Sequence, residues 1–212
     1  MTPEKIKPRW VFRGASSEEK VAVPDFFNLN NIPEGTARIM MRRGISTEEK
    51  LTHFLYDTLD NLSDPFLMKG MQQAVRRIIQ AIDLKEKIVI YGDYDVDGIT
   101  STSICVRCLR KLGADVNFYI PLREEEGYGL NRDAINKLSK EGVSLLITVD
   151  CGISSADLVA EAPQSLDIII TDHHQPPKVL PDCVDVLIAH QEGCLYPYTE
   201  LAVCGVALIL FR

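Results

Sequence analysis

The stretch Lys87-Ile88-Val89-Ile90-Tyr91-Gly92-Asp93-Tyr94-Asp95-Val96-Asp97-Gly98 decides how the rest of the chain is read. A short apolar run rich in Ile and Val gives way to alternating aspartates, and then to a glycine that opens a helical pattern. That order reads as a strand buried on both faces, followed by a polar turn. Two further runs repeat the design. Leu145-Leu146-Ile147-Thr148-Val149 ends in Asp150, and Ile168-Ile169-Ile170-Thr171 ends in Asp172-His173-His174. Helix-like segments separate the runs, so parallel strands are expected. In open α/β sheets, ligands bind outside the carboxyl ends of such strands. Carboxylates and imidazoles gathered at one sheet edge suit a divalent metal and hydrolytic chemistry.

Outward from these runs, strand and helix patterns alternate. Helices are expected over 99–112, 131–140 (capped by Asn131), 155–160 and 201–211. Further strands are expected over 116–120 and 184–189. Alternation of this kind implies right-handed crossovers and an α/β fold with a doubly wound, mostly parallel sheet. Upstream, residues 33–82 read as helical. Pro33-Glu34 suits a helix start, Gly44 its end, and Ser46 or Thr47 the next N-terminus. Asp64-Pro65 marks a turn, and 68–82 carries Met71, Val75, Ile78, Ile79 and Ile82 at helical spacing. Trp10-Val11-Phe12 suggests an extended piece within a loose arm. The expected organisation is an N-terminal arm and helical region over 1–82, then an α/β domain over 83–212. Arg42, Arg43, Arg76 and Arg77 read as a solvated helix face, with phosphate contact as the alternative.

Composition narrows the function classes. With 46% apolar and 25% charged residues, the chain is that of an ordinary globular protein. No apolar run approaches the roughly 20 residues needed to span a bilayer, and Met1 to Trp10 lacks the apolar core of a signal peptide. A cytoplasmic location without membrane attachment is expected. Six irregularly spaced cysteines fit a reduced compartment better than a disulfide framework. Cys105 and Cys108 have C-x-x-C spacing but fall inside a helix without a second pair, so buried thiols are the better reading than zinc. A net charge of −7 argues against a broadly basic nucleic-acid binder. It leaves room for an enzyme that grips a few phosphates through metal ions.

Each acidic cluster has a competing reading. Asp93, Asp95, Asp97 and Gly98 also match the start of an EF-hand loop, but its twelfth position would be Ile104 rather than a bidentate Glu, and a strand precedes it. Three carboxylates this close repel one another unless a cation is present. Asp150 could be a ligand or a helix cap. Asp172-His173-His174 could place one imidazole on metal and the other on a substrate, with Asp172 as a supporting acceptor. The alternative is a surface pair. His53 and His190 stand apart and read as surface or core histidines.

The set Gly92-Asp93-Tyr94-Asp95-Val96-Asp97-Gly98, Val149-Asp150-Cys151-Gly152-Ile153 and Asp172-His173-His174 resembles the DHH phosphoesterase superfamily. Within it, the chain resembles the RecJ-like single-strand DNA exonucleases. Arg43-Gly44-Ile45, Asp64-Pro65-Phe66, Met71, Glu126-Gly127-Tyr128-Gly129-Leu130 and Gly205-Val206-Ala207 extend the likeness from about residue 10 to Arg212. The resemblance implies two divalent ions, Mn²⁺ or Mg²⁺. It implies Asp93, Asp95, Asp97, Asp150 and His173 as metal ligands, with Asp150 as the bridge and His174 at the scissile phosphate. Arg123 is expected either to touch the strand or to pair with Glu124 to Glu126. The implied activity is 5′-to-3′ exonuclease action on single-stranded DNA in repair and recombination. Single-strand-binding or helicase proteins are implied partners. A phosphodiesterase for short oligonucleotides or cyclic dinucleotides, and a non-catalytic binding module, are the competing expectations. The chain departs from the family's pattern at Ala189-His190, where Asn-Pro is usual, and at Val203-Cys204, where a glycine is usual. The resemblance also leads one to expect another metal-binding Asp and a second lobe downstream, so a C-terminally incomplete chain is expected.

Overall fold

The structure is a computed structural model that describes residues 22–212 except residue 128. The expected extended piece at Trp10-Val11-Phe12 and the residue Tyr128 lie outside the described residues. The chain divides into two compact units, Met1–Leu62 and Ser63–Arg212.

In the first unit, helices α1 (Asp25–Leu29), α2 (Glu34–Arg42) and α3 (Glu48–Tyr56) gather around Phe27, Ala37, Met40 and Leu51. Their boundaries follow the capping residues. Pro33 precedes α2, and Gly44 follows it at φ 87°. Thr47 caps α3 by accepting the Lys50 N–H at 3.3 Å. His53 sits on the surface of α3, 3.0 Å from Asp57.

The second unit carries the sheet. After α4 (Met71–Asp83) come β1 (Lys87–Gly92), α5 (Val96–Lys111), β2 (Asp115–Tyr119), α6 (Arg123–Glu126) and α7 (Arg132–Lys140). Then follow β3 (Val143–Val149), α8 (Ala156–Ala160), β4 (Asp167–Thr171), β5 (Asp185–Leu187) and α9 (Val203–Leu210). The strands lie in the order β2-β1-β3-β4-β5, and every pair is parallel. Period-two alternation of apolar side chains supplies two cores. Ile88, Ile90, Leu145 and Ile147 face α4, α5 and α9, while Val89, Tyr91, Leu146 and Ile168 face α7 and α8. Helices therefore cover both faces, as a doubly wound α/β sheet requires. The chain leaves β1 toward β2 and later continues from β3 on the other side. The crevice at the carboxyl ends of β1 and β3 is the topological switch point.

Three differences from the sequence reading have physical causes. That reading puts α4 in an N-terminal region ending at residue 82, yet the helix buries Met71, Ala74, Ile78 and Ala81 in the sheet's core and belongs to the second unit. Helix α5 begins at Val96, three residues before the expected Ile99, because Asp95 caps it through the Gly98 N–H at 3.0 Å. Arg77 is not a solvated helix residue. Its guanidinium is 11% exposed and reaches Asp167 at 2.5 Å and Glu86 at 2.6 Å, tying α4 to the amino ends of β4 and β1. The six cysteines form no disulfide, and Cys105 is buried in α5.

Candidate metal centre

Each polar cluster is delivered by the end of a strand. Asp93 follows β1 and is 4% exposed. The turn that holds it depends on Gly98: a Cβ there would lie 2.4 Å from the Asp93 carbonyl oxygen. No other residue permits the first turn of α5 to pack so closely on the Asp93 backbone. Asp95 then serves as the α5 N-cap through one carboxylate oxygen.

Asp150 follows β3 in the left-handed region, at φ 64°. That conformation costs an L-residue on the order of 1 kcal/mol, and Asp is among the residues that tolerate it. Neighbouring bonds hold it there. The Asp150 N–H donates to the Thr171 carbonyl at 3.1 Å. The Thr148 hydroxyl donates to the Cys151 carbonyl at 2.8 Å, and the Thr171 hydroxyl to the Thr148 carbonyl at 2.7 Å. Gly152 completes the turn at φ 108°.

Asp172 follows β4 and is 1% exposed. Its Oδ1 accepts the N–H groups of His173 at 2.7 Å and His174 at 3.0 Å, and it lies 2.7 Å from His174 Nδ1. Its Oδ2 accepts the Ile153 N–H at 3.1 Å. Asp172 thus locks the histidine loop to the turn after Asp150, and it leaves His174 Nε2 as the ring nitrogen able to face a ligand. The half-exposed His173 imidazole brings Nε2 to 3.3 Å from Asp150 Oδ1 and 4.0 Å from Asp97 Oδ2.

The ligand atoms converge in two groups with one shared member. Asp93, Asp95 and Asp150 form one group. Asp150, His173 and His174 form the other. Within each group the ligand atoms lie within 4.8 Å of one another. Carboxylates with one or two imidazoles are a donor set for a hard divalent ion of the Mn²⁺ or Mg²⁺ type. The electrostatics agree. Burial, followed by the charges of Asp97 and Asp95, pushes Asp150 up to about 7. The Gly98 N–H holds Asp95 low, and Asp95 and Asp150 share a hydrogen bond. A pair of carboxyls sharing one proton is the state that crowded acids adopt without a cation, and a divalent ion offsets the same repulsion. Burial draws the His174 pKa down, but the hydrogen bond and charge of Asp172 outweigh it and raise it.

Asp97 has a further attachment that sequence reasoning missed. Its Oδ2 accepts the Val203 N–H and its Oδ1 the Cys204 N–H, both at 2.8 Å. These are first-turn amides of α9, whose N-cap Ala202 offers no side-chain acceptor. An acid at the sheet's edge thus caps a helix more than a hundred residues downstream. His190, read as standing apart, comes within 3.1 Å of the His174 carbonyl. The side chain of Arg123 lies outside the described residues.

Comparison with known proteins places the chain in a family. The chain is 43% identical over 205 residues to the single-stranded-DNA-specific exonuclease RecJ of Bacillus subtilis strain 168, a match covering 96% of this chain and 26% of that protein. A crystal structure of exonuclease RecJ bound to manganese aligns at a TM-score of 0.62 and 36% identity, over 68% of this chain and 37% of that one. RecJ from Thermus thermophilus in complex with Mn²⁺ aligns at 0.63 and 29% identity, over 88% of this chain and 26% of that one. The chain thus spans about a quarter of the curated relative's length. Residues 87–212, which include every strand among the described residues and all the acids and histidines of the centre, match the DHH family, N-terminal domain. The chain belongs to the DHH family.

Proposed function

We propose that the centre hydrolyses phosphodiester bonds of single-stranded DNA with Mn²⁺ or Mg²⁺, working from the 5′ end as the RecJ-like resemblance implies. The observation that carries the reading is Asp150, which belongs to both groups of converging ligand atoms. Asp93, Asp95 and Asp150 would hold one ion, and Asp150 and His173 would hold the second. Asp97 lies outside both groups; its Oδ2, 4.0 Å from His173 and accepting the Val203 N–H, would be its route to the second set. When bound, two such ions supply Lewis-acid charge for the phosphate and a nucleophile at neutral pH. The chain's own residues orient the substrate. His174, fixed by Asp172, presents Nε2 to the scissile phosphate, and its raised pKa favours the charged ring that a phosphate prefers. By the same resemblance, Arg123 is a candidate second contact to the strand. RecJ relatives named as single-stranded-DNA-specific exonucleases, and RecJ structures holding Mn²⁺, support the substrate class and the cofactor. In the described residues no helix is long and apolar enough to cross a membrane. The cytoplasm is the proposed location, with single-strand-binding or helicase proteins as partners.

The test is hydrolysis by this chain with Mn²⁺, on a 5′-phosphorylated thymidine dinucleotide and on a long 5′-labelled single strand. Slow cleavage of the dinucleotide is expected, lowered ~100-fold or more by Asp150→Ala. Little processive digestion of the long strand is expected, because a net charge of −7 leaves no excess of basic residues to track it. Cleavage that survives Asp150→Ala, or no Mn²⁺-dependent cleavage at all, contradicts the reading.

A further inference from the structure

Between β2 and α7 the chain turns through Glu126, Gly127, Gly129 and Leu130, and a relay of polar side chains fastens this turn to the sheet. Tyr119, the last residue of β2, donates its hydroxyl to Glu126 Oε2 at 2.5 Å, while Glu126 Oε1 accepts the Leu122 N–H at 3.0 Å. Asn131 donates Nδ2 both to Glu126 Oε2 at 3.2 Å and to the Tyr91 hydroxyl at 3.1 Å. Its Oδ1 meanwhile caps α7 through the Ala134 N–H at 2.7 Å. The Tyr91 hydroxyl donates onward to the Gly129 carbonyl at 3.0 Å. Tyr91 is fully buried on β1, two residues before Asp93, and its ring stacks on Tyr119 with centroids 5.3 Å apart. A phenylalanine would fill the same space, so the hydroxyls and the carboxylate serve to fix geometry.

What they fix is one wall of a cleft. Gly129 faces Gly152, Ile153, Ser154 and Ser155 across a cavity of about 230 Å³ that is also lined by Asp172 and His174. Two glycines at positive φ, 81° and 108°, keep side chains out of it. The volume is below the ~300 Å³ at which drug-sized pockets begin, a size for one sugar or base rather than a stacked strand. We propose that this cleft receives the nucleoside attached to the phosphate at His174, and that Tyr91 and Glu126 are positioning residues that set its width through Gly129. The inference rests on the metal-dependent phosphodiesterase reading above. It adds a nucleoside subsite beside His174 to that reading.

The experiment compares the parent chain with Tyr91→Phe, Glu126→Ala and Glu126→Gln. Titration calorimetry reads Mn²⁺ affinity and then, at saturating Mn²⁺, affinity for the 5′-phosphorylated thymidine dinucleotide. Steady-state hydrolysis separates KM from kcat. Mn²⁺ affinity is expected to stay within about twofold in all three. Dinucleotide Kd and KM are expected to rise about tenfold in Tyr91→Phe, which frees the Gly129 carbonyl, and in Glu126→Ala, which frees Tyr119 and Asn131. Glu126→Gln, which keeps an accepting oxygen, is expected to lie between these and the parent, with kcat moving less than KM throughout. If Tyr91→Phe melts too low to titrate, the half-buried Glu126 pair carries the comparison. Unchanged dinucleotide affinity in Glu126→Ala overturns the inference. So does a parallel loss of Mn²⁺ affinity, which makes the relay scaffolding for the metal. A parent chain that loads Mn²⁺ but does not bind the dinucleotide also overturns it, leaving the metal centre standing. A parent chain that loads no Mn²⁺ instead overturns the phosphodiesterase reading, and the inference with it.

Discussion

Asp150 is the carboxyl on which the proposed metal centre turns. It is held left-handed at the end of β3, belongs to both ligand groups, and has its pKa pushed up to about 7 by burial and by Asp97 and Asp95. In the unfolded chain an aspartate ionises near its ordinary value of 3.8. Between those values the folded state binds the extra proton, so without metal the stability falls as pH rises from about 4 to about 7. His174 acts in the same direction: its raised pKa gives stability that is full below 6.5 and lost as pH rises through the folded value. Mn²⁺ must displace the proton from Asp150. The Mn²⁺-induced rise in melting temperature is therefore expected to grow from pH 5 to pH 7 and level off above. Melts at four pH values with and without Mn²⁺ check this, and a shift that does not vary with pH contradicts it. The two histidines separate at the same scale. His173→Ala is expected to weaken Mn²⁺ binding about tenfold or more, while His174→Ala leaves it nearly intact and slows hydrolysis. Calorimetry on the two variants decides, and an equal loss of affinity removes the division of labour. The identity of these acids and histidines is readable in the sequence because each ends an apolar run. Their cross-links are not. The Thr148 and Thr171 hydroxyl bonds, and the grip of Asp172 on Ile153, join residues on different strands.

At the scale of elements, what is legible follows the reach of the interactions. The strands β1, β3 and β4 announce themselves because both faces are buried and the runs are continuous in sequence. The caps read at Thr47 and Asn131 lie three residues from the amides they bind. Arg77 is misread from sequence because its partner Asp167 lies 90 positions away, so helical spacing alone leaves it on an outer face. The attachment of α9 is hidden for the same reason. Asp97 accepts the Val203 and Cys204 amides from 106 and 107 positions away. This contact makes one acid serve both the centre's rim and a helix N-terminus. Asp97→Ala is expected to cost about 1–2 kcal/mol, as loss of an N-cap does. Hydrogen exchange is expected to accelerate selectively at Val203 and Cys204. Asp97→Asn, with one accepting oxygen, is expected to lose less. Urea unfolding and exchange measured without metal provide the check, and unaltered exchange at both amides removes the capping role.

The whole molecule joins a small helical unit to a doubly wound sheet whose switch point carries the acids. Its similarity to RecJ runs over nearly all of this chain and about a quarter of that relative. The net charge of −7 does not favour the tracking of long nucleic acid that a basic surface gives. Fold class is legible at this scale because a parallel sheet sends its carboxyl ends to one side, so three motifs distant in sequence have to meet. The division between units is not, because α4 is as amphipathic as the helices before it and only its packing on the sheet assigns it to the second unit. The central claim is that Asp150 joins two ligand groups into one metal centre. The most direct measurement is a calorimetric Mn²⁺ titration of this chain beside Asp93→Ala, His173→Ala and Asp150→Ala. The account predicts that each of the first two variants weakens Mn²⁺ binding about tenfold or more, and that Asp150→Ala, by breaking both groups, all but abolishes it. Mn²⁺ binding by Asp150→Ala as tight as that of the parent chain would contradict it.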